Sequence, residues 1–426
     1  MPPHALLEEL RWRGLLSQHT EGLSDALARG MVSGYVGFDP SAPSLHVGNL
    51  VPVMGLVHLQ HQGHRPVFLA GGGTGMIGDP SGKSTERPLL SPDEIAANTE
   101  RIRSQLEHFV DPKGRNGALV RNNADWLAPL KAIEFMRDVG KHFTVGYMMQ
   151  KESVKSRLEG GLSYTEFSYM LLQAYDYLQL HTRDGVTLQL GGSDQWGNIT
   201  AGIELIRRTA GAEAHALTFQ LLTTASGTKF GKTEAGAVWL DPERTSPYRF
   251  YQFWINTDDR DVGQMLRFFT LLDRARIEEL DRTTTDRPEA REAQRTLARE
   301  VTERVHGANA VKAAEEVSQL LFGKADPRSL SREAFELLER EISTFELTTD
   351  VVLDTNVLIT LLSGEESLFK SRGEARRALE QGGVYLNGER LGPELARDLR
   401  NQIVHGRYLL VRKGAKNYGL VRVGKT

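Results

Sequence analysis

The sequence predicts an α/β chain in three parts: a parallel-sheet domain, then a helical domain, then a small basic α+β module. Three observations carry that reading. Short apolar runs alternate with helical stretches and Gly-rich turns over the first 240 or so residues, as in a parallel sheet with crossover helices. From Pro247 to Phe322 strand signals vanish and charged, Leu/Ala-rich helical periodicity takes over. Charge is also unevenly divided: between Ser367 and Thr426 thirteen Lys or Arg face five acids, a net +8, which leaves −11 on the other 366 residues of a chain whose total is −3. A basic module on an acidic body is the footprint of a segment that meets phosphate, nucleic acid above all; a solubilising tail is the plain alternative.

A length of 426 residues with 40% hydrophobic and 25% charged content suits an ordinary globular protein of about three domains. No window approaches the roughly eighteen uninterrupted apolar residues of a membrane span, and Met1 to Gly30 lacks the layout of a signal peptide, so a cytoplasmic protein without a membrane partner is expected. The absence of cysteine excludes thiolate nucleophiles, disulfides and Cys-ligated zinc, and twelve His without an H-E-x-x-H spacing argue against a dedicated metal site.

The first strand signal is Tyr35-Val36-Gly37-Phe38-Asp39, in which alternation puts Tyr35, Gly37 and Asp39 on one face. An apolar helix running towards His58 follows His46-Val47-Gly48-Asn49, with Ser44 as its expected N-cap; a helix start of this kind suits phosphate, although a capped helix with a surface His is the plainer account. Pro66 to Ala70 is the next strand, leading into Gly73-Thr74-Gly75-Met76-Ile77-Gly78. That match to G-x-G-x-x-G has no acid at the end of a second strand, since Asp93 and Glu94 sit in a helix start. Reading Gly78 to Ser84 as a P-loop would need Gly at Ile77. What remains is a Gly-rich loop from which Asp79 and Lys83 project at a sheet's carboxyl edge.

Tyr164 to Leu180 is apolar almost all round, and within it Tyr169, Gln173 and Asp176 share one stripe at about 100° per residue. A carboxylate there is costly unless a donor meets it. Either an internal hydrogen-bond network or a pocket for a small molecule with a hydroxyl and an ammonium group would supply one. Val186 to Leu190 is a buried strand ending in Gly191-Gly192-Ser193-Asp194-Gln195, which places Asp194 and Gln195 at the same edge. Lys229-Phe230-Gly231-Lys232-Thr233 is a Gly-hinged loop with two ammonium groups. The domain boundaries read as 1–246, 247–323, a connector 324–354 in which Ala334 to Ile342 could form a helix, and 355–426. That last part combines a basic helix, Ser371 to Leu379, with a hairpin turning at Asn387-Gly388.

In their order and spacing these segments resemble the bacterial tyrosyl-tRNA synthetases, of the class I aminoacyl-tRNA synthetases, over essentially the whole chain. His46-Val47-Gly48-Asn49 is similar to the class's HIGH signature, with Asn49 at its last position. Lys229-Phe230-Gly231-Lys232-Thr233 is similar to KMSKS, with Phe230, Gly231 and Thr233 in place of Met and two Ser. The resemblance implies a Rossmann-like catalytic domain, a helical anticodon-binding domain and an S4-like RNA-binding domain. It implies activation of tyrosine by ATP-Mg to tyrosyl-adenylate, transfer to tRNA(Tyr), no tightly bound cofactor, and a homodimer. It implies that Tyr35 and Asp176 bind the substrate phenol, that Tyr169, Gln173 and Asp79 bind its ammonium, and that Gln195 lies near its carboxylate. Asp39, His46, Gly48, Asn49, Gly192 and Asp194 would line the ATP site with Lys232; Lys83, Arg87, Lys229, Lys232 and Thr233 would face the leaving pyrophosphate. His46 and Asn49 would serve catalysis as well. The rivals are a tryptophanyl-tRNA synthetase, which the pairing of Tyr35 with Asp176 argues against, and a non-catalytic RNA-binding protein on the same scaffold, which the intact signatures argue against.

Overall fold

A computed structural model describes residues 4–81, 90–158, 161–225, 227, 230–233, 236–323, 325–348, 353–365, 367–392 and 399–424. Two compact units divide the chain, residues 1–241 with 256–297 and residues 242–255 with 298–426, so the helical stretch expected as one domain is shared between them.

The first unit is built on six strands: β1 (Leu16–His19), β2 (Ser33–Phe38), β3 (Arg65–Ala70), β4 (Leu119–Asn122), β5 (Leu188–Gly192) and β6 (His215–Phe219). Their order is β1-β6-β5-β2-β3-β4, with every pair parallel except β1 with β6. Succession runs one way from β2 through β3 to β4 and the other way through β5 to β6. The crossover helices therefore part between β2 and β5, and a crevice opens at the carboxyl ends of those two strands. This is the predicted α/β architecture, and β2, β3 and β5 fall where the apolar runs placed them.

Helices fill both faces because these strands are buried nearly throughout. The helix Leu50–His61 is apolar on all sides and packs against β2, β3, β5 and β6. At Gly55 its backbone lies so close to β6 that a Cβ would stand 2.0 Å from Cζ of Phe219. The helix Tyr164–Asp184 starts where Ser163 accepts a hydrogen bond from the Glu166 N–H, and it ends at Gly185 in the left-handed region. Its buried residues Tyr177 and Leu180 join Tyr35, Val67, Leu69 and Trp126 in one apolar cluster.

In the second unit five strands stand in the order Glu389–Arg390, Val384–Leu386, Tyr408–Lys413, Asn417–Gly424, Ser343–Thr348. Successive residues of Tyr408–Lys413 face opposite apolar clusters, Tyr408 and Leu410 one, Leu409 and Val411 the other. The Asn387-Gly388 turn has both residues at positive φ, 46° and 85°, as the two-residue hairpin requires. The segment read as a connector holds the helix Arg332–Glu341, capped by Ser331, and the strand Ser343–Thr348, which pairs in parallel with Asn417–Gly424. No described helix is long and apolar enough to cross a membrane.

Replacing Gly55 with Ala tests the packing of Leu50–His61 on β6. Removing a helical Gly favours the helix by about 1 kcal/mol, while forcing a buried ring aside costs about 1–3 kcal/mol. At a 2.0 Å approach the second term dominates. A lowered urea midpoint is expected for Gly55→Ala, and an unchanged or raised one contradicts the packing.

Candidate active site

A cavity of about 410 Å³ opens at the crevice between β2 and β5. β2 delivers Tyr35, Gly37 and Asp39 to it, β5 delivers Gln189 and its last residues Gly191 and Gly192, and the helix Tyr164–Asp184 delivers Tyr169, Gln173 and Asp176 as one stripe. Asp79, Gln195, His46 and Asn49 complete the set. Of the site residues expected from sequence whose side chains are described, Gly48 and Asp194 stand outside the lining. Asp194 is exposed on the turn Ser193–Gln195, and a Cβ at Gly192 would lie 2.5 Å from its Oδ1.

Asp176 is the deepest charge, 2% exposed. Its Oδ1 accepts from Trp126 Nε1 at 2.7 Å and its Oδ2 from Asn123 Nδ2 at 2.9 Å, so both an internal network and a cavity are present. Each carboxylate oxygen can accept a second hydrogen bond, so this network leaves room for a donor from the cavity. Burial raises the Asp176 carboxyl to about 7, with Asn123 and Trp126 opposing the rise and the Asp39 carboxylate adding to it.

Two other buried polar atoms of the lining have no hydrogen-bond partner among the described residues: Tyr35 Oη and Gln189 Oε1. Tyr35 and Gln189 stand opposite each other across β2 and β5. Burial, with the Asp176 carboxylate nearby, pushes the Tyr35 phenol well up, so it is a neutral O–H. An orphaned hydroxyl, an orphaned amide oxygen and a carboxylate with spare lone pairs around one cavity match a ligand group that both donates and accepts, such as a phenol.

A second network ties the rest of the lining together. Thr74 Oγ1 and Tyr169 Oη donate to the two oxygens of Asp39 at 2.7 and 2.9 Å, and Asn123 Nδ2 donates to Thr74 Oγ1. Asp39, placed at the nucleotide by resemblance, is thus hydrogen-bonded to the stripe. Gln195 Nε2 donates to Asp79 Oδ2 at 2.7 Å, and Gln173 Nε2 reaches Gln195 Oε1 at 3.3 Å. This end, with its carboxyl and amide oxygens, suits an ammonium group.

Towards the mouth, the helix start differs from expectation at its cap. His46, not Ser44, is the N-cap: the Gly48 N–H donates to His46 Nδ1 and the His46 N–H to Asn49 Oδ1, each at 3.0 Å. Ser44 Oγ is taken instead by its own loop, donating to Leu45 O and accepting from Gln105 and the Asp241 N–H. Val47 to Asn49 form a 3-10 turn before the α-helix. Gly231 sits at φ 88°, where a Cβ would lie 3.1 Å from Val47 and 3.2 Å from the Gly48 nitrogen, so the second signature abuts the first through a glycine. Phe230 stacks on Phe269 at 5.3 Å. Lys83, Arg87 and Lys229 lie outside the described residues; Lys232–Thr233 form a two-residue strand paired with Gly236–Ala237.

Sequence reasoning missed Thr74, Asn123, Trp126 and Gln189. Gln189 carried a signal, an amide inside an otherwise apolar strand; Asn123 and Trp126 follow β4, whose edge position is fixed only by long-range pairing. The Gly73 to Gly78 turn opens a short 3-10 helix, Thr74–Met76, and serves the site through Thr74, not as a dinucleotide fingerprint.

Comparison with known proteins adds an independent line. The family model of class I tRNA synthetases (W and Y) matches residues 28–323, and that of the tyrosine–tRNA ligase SYY-like C-terminal domain matches 336–421. The tyrosine–tRNA ligase of Roseiflexus castenholzii is 52% identical over 421 residues, 98% of this chain and 99% of that one. That of Geobacillus stearothermophilus is 49% identical with the same coverage. A C-terminally truncated mitochondrial tyrosyl-tRNA synthetase of Aspergillus nidulans superposes with a TM-score of 0.67 at 30% identity, over 76% of this chain and 95% of that one.

The Asp176 carboxyl gives a stability signature. Its ordinary value is 3.8 and its folded value about 7, so between those pH values the folded chain holds a proton that the unfolded chain has lost. Stability therefore falls as pH rises through that window and levels off above it. Relative to Asp176→Asn, which cannot ionise, wild-type protein without ligand should lose about 1.4 kcal/mol for each pH unit over which the proton is held. Parallel pH profiles of thermal unfolding for the two proteins would refute this.

Proposed function

The chain belongs to the tyrosine–tRNA ligase family of class I aminoacyl-tRNA synthetases, and from that premise we propose how its residues carry the reaction. The activity is ATP-dependent: tyrosine and ATP give tyrosyl-adenylate and pyrophosphate, and the tyrosyl group passes to the 3′ end of tRNA. The nucleophile is the substrate's own carboxylate, so the protein aligns it with the α-phosphate and stabilises charge on the departing pyrophosphate. No side chain need form a covalent bond.

The substrate phenol enters between Tyr35, Asp176 and Gln189. It donates to Asp176 and accepts from the Tyr35 hydroxyl, with Asn123 and Trp126 fixing the carboxylate. Donation to Asp176 favours its ionised form, so tyrosine binding draws off the proton that burial retains. Asp79, Tyr169 and Gln173 receive the ammonium, with Asp39 holding Tyr169 in place; Gln195 lies next to the carboxylate. His46, Gly48, Asn49, Gly192 and Asp194 receive ATP, supplied as its Mg²⁺ complex. His46 and Asn49 also brace, through their reciprocal hydrogen bonds, a helix start whose positive dipole end favours phosphate. Lys83, Arg87, Lys229, Lys232 and Thr233 complete the cationic side facing pyrophosphate.

The observation that carries this reading is the group of spare hydrogen-bonding atoms around the cavity floor. Phenylalanine would enter the same space and leave them unmet, each at a cost of about 1–3 kcal/mol in a dry site. Tryptophan's indole donates but does not accept, so it cannot satisfy Tyr35 as a donor.

The helical stretch and the basic C-terminal module hold tRNA(Tyr), the former at the anticodon region. The enzyme works as a homodimer in the cytoplasm, where translation consumes charged tRNA. Exposed apolar side chains support the dimer: Ile133, Met136, Val145 and Tyr164 are 76%, 53%, 66% and 74% exposed.

Asp176→Ala removes the acceptor while leaving a cavity that water can fill. Tyrosine-dependent ATP–pyrophosphate exchange should fall by at least about a hundredfold, as expected when a charged hydrogen bond and its network are lost, with circular dichroism unchanged. Near-normal exchange would remove Asp176 from the pocket.

A further inference from the structure

Within the second unit a cavity of about 450 Å³ lies between the end of the helix Ala308–Phe322 and the strands Tyr408–Lys413 and Asn417–Gly424. Its base is apolar, with Leu320, Pro327 and Leu410 buried. Among the described residues its charged lining consists of Arg412 and Lys416, with no Asp or Glu. Phe322 forms part of the wall with 77% of its surface exposed, the most of any large apolar side chain described.

The aromatic and cationic groups are held in place. Tyr418 Oη donates to Leu320 O at 3.1 Å, which fixes the ring at the end of the helix. The Arg412 guanidinium lies over the Tyr385 ring at 3.9 Å and donates to Gly414 O at 2.7 Å, so its plane is set and its other N–H groups remain available. Lys416 is exposed and forms no ion pair among the described residues.

An exposed Phe beside an unneutralised Lys and Arg suits neither a purely apolar partner, which leaves the cations unused, nor a bare phosphate, which leaves the ring unused. It suits a flat π-system joined to a phosphate. We propose that this cavity takes one unstacked nucleotide of the bound tRNA, its base against Phe322 and Tyr418 and its phosphate met by Arg412 and Lys416. The proposal rests on the reading that this unit binds tRNA, and it adds a base-holding site to what net charge alone would give.

The two terms separate by salt. Affinity of full-length protein for cognate tRNA transcript is measured by fluorescence anisotropy across about 50 to 200 mM salt. Phe322→Ala should weaken binding about tenfold without changing the slope of log K against log salt, because stacking releases no counterions; Phe322→Trp should restore affinity. Lys416→Ala should lower that slope by about one. Since Phe322 is exposed, its variants should keep the thermal transition of the wild type. If Phe322→Ala binds like wild type while Lys416→Ala lowers the slope, the base site is overturned and tRNA binding by the unit stands. If wild type binds tRNA with no salt dependence, the underlying reading falls with it. If Phe322→Ala changes self-association in sedimentation and not tRNA affinity, the surface is a contact between copies and the proposal fails.

Discussion

A carboxylate kept out of water and only partly satisfied by its own protein is the constraint on which this active site depends. Asp176 is 2% exposed and meets two fixed donors, Trp126 Nε1 and Asn123 Nδ2. Those donors offset the desolvation cost enough for the group to be tolerated, but its carboxyl still rises to about 7. A site in this condition is stabilised by any ligand that brings a further donor, and it penalises an isostere that lacks one. On the proposed reading, discrimination between two amino acids differing by a single oxygen follows from that imbalance.

The surrounding architecture makes the imbalance possible. Parallel strands change direction of succession between β2 and β5, so two strand ends and one buried helix converge on the cavity. Helices and strands hold side chains more tightly than loops do, which suits the polar floor. The phosphate side proposed above lies elsewhere, at a helix start braced by His46 and Asn49, against which Gly231 is packed. The cavity floor is therefore preorganised by packing.

Much of this was legible in the sequence because it is periodic. Tyr35, Gly37 and Asp39 follow the two-residue repeat of a strand, Tyr169, Gln173 and Asp176 the repeat of a helix, and the structure brings both sets to one cavity. Asn387-Gly388 specified its hairpin through the positive φ that only a few residues accept. What stayed hidden was non-local. Asn123 and Trp126 reach Asp176 from across the sheet, separated from it by 53 and 50 residues. The strand Ser343–Thr348 exists through parallel pairing with a strand far along the chain, and its own residues carry little apolar signal. The cap at His46 was misread because Ser44 is the better local candidate, yet Ser44 is engaged by Gln105 and Asp241.

The claim that the cavity floor selects for a phenolic oxygen is most directly tested by exchanging Tyr35 for Phe and comparing kcat/KM for tyrosine and for phenylalanine in ATP–pyrophosphate exchange. With the orphaned hydroxyl gone, tyrosine loses a donor and phenylalanine no longer strands one. The ratio of the two values should narrow by about tenfold or more. A ratio identical to that of the unaltered protein would mean that the hydroxyl meets no substrate atom, and selection would have to arise somewhere other than the floor of this cavity.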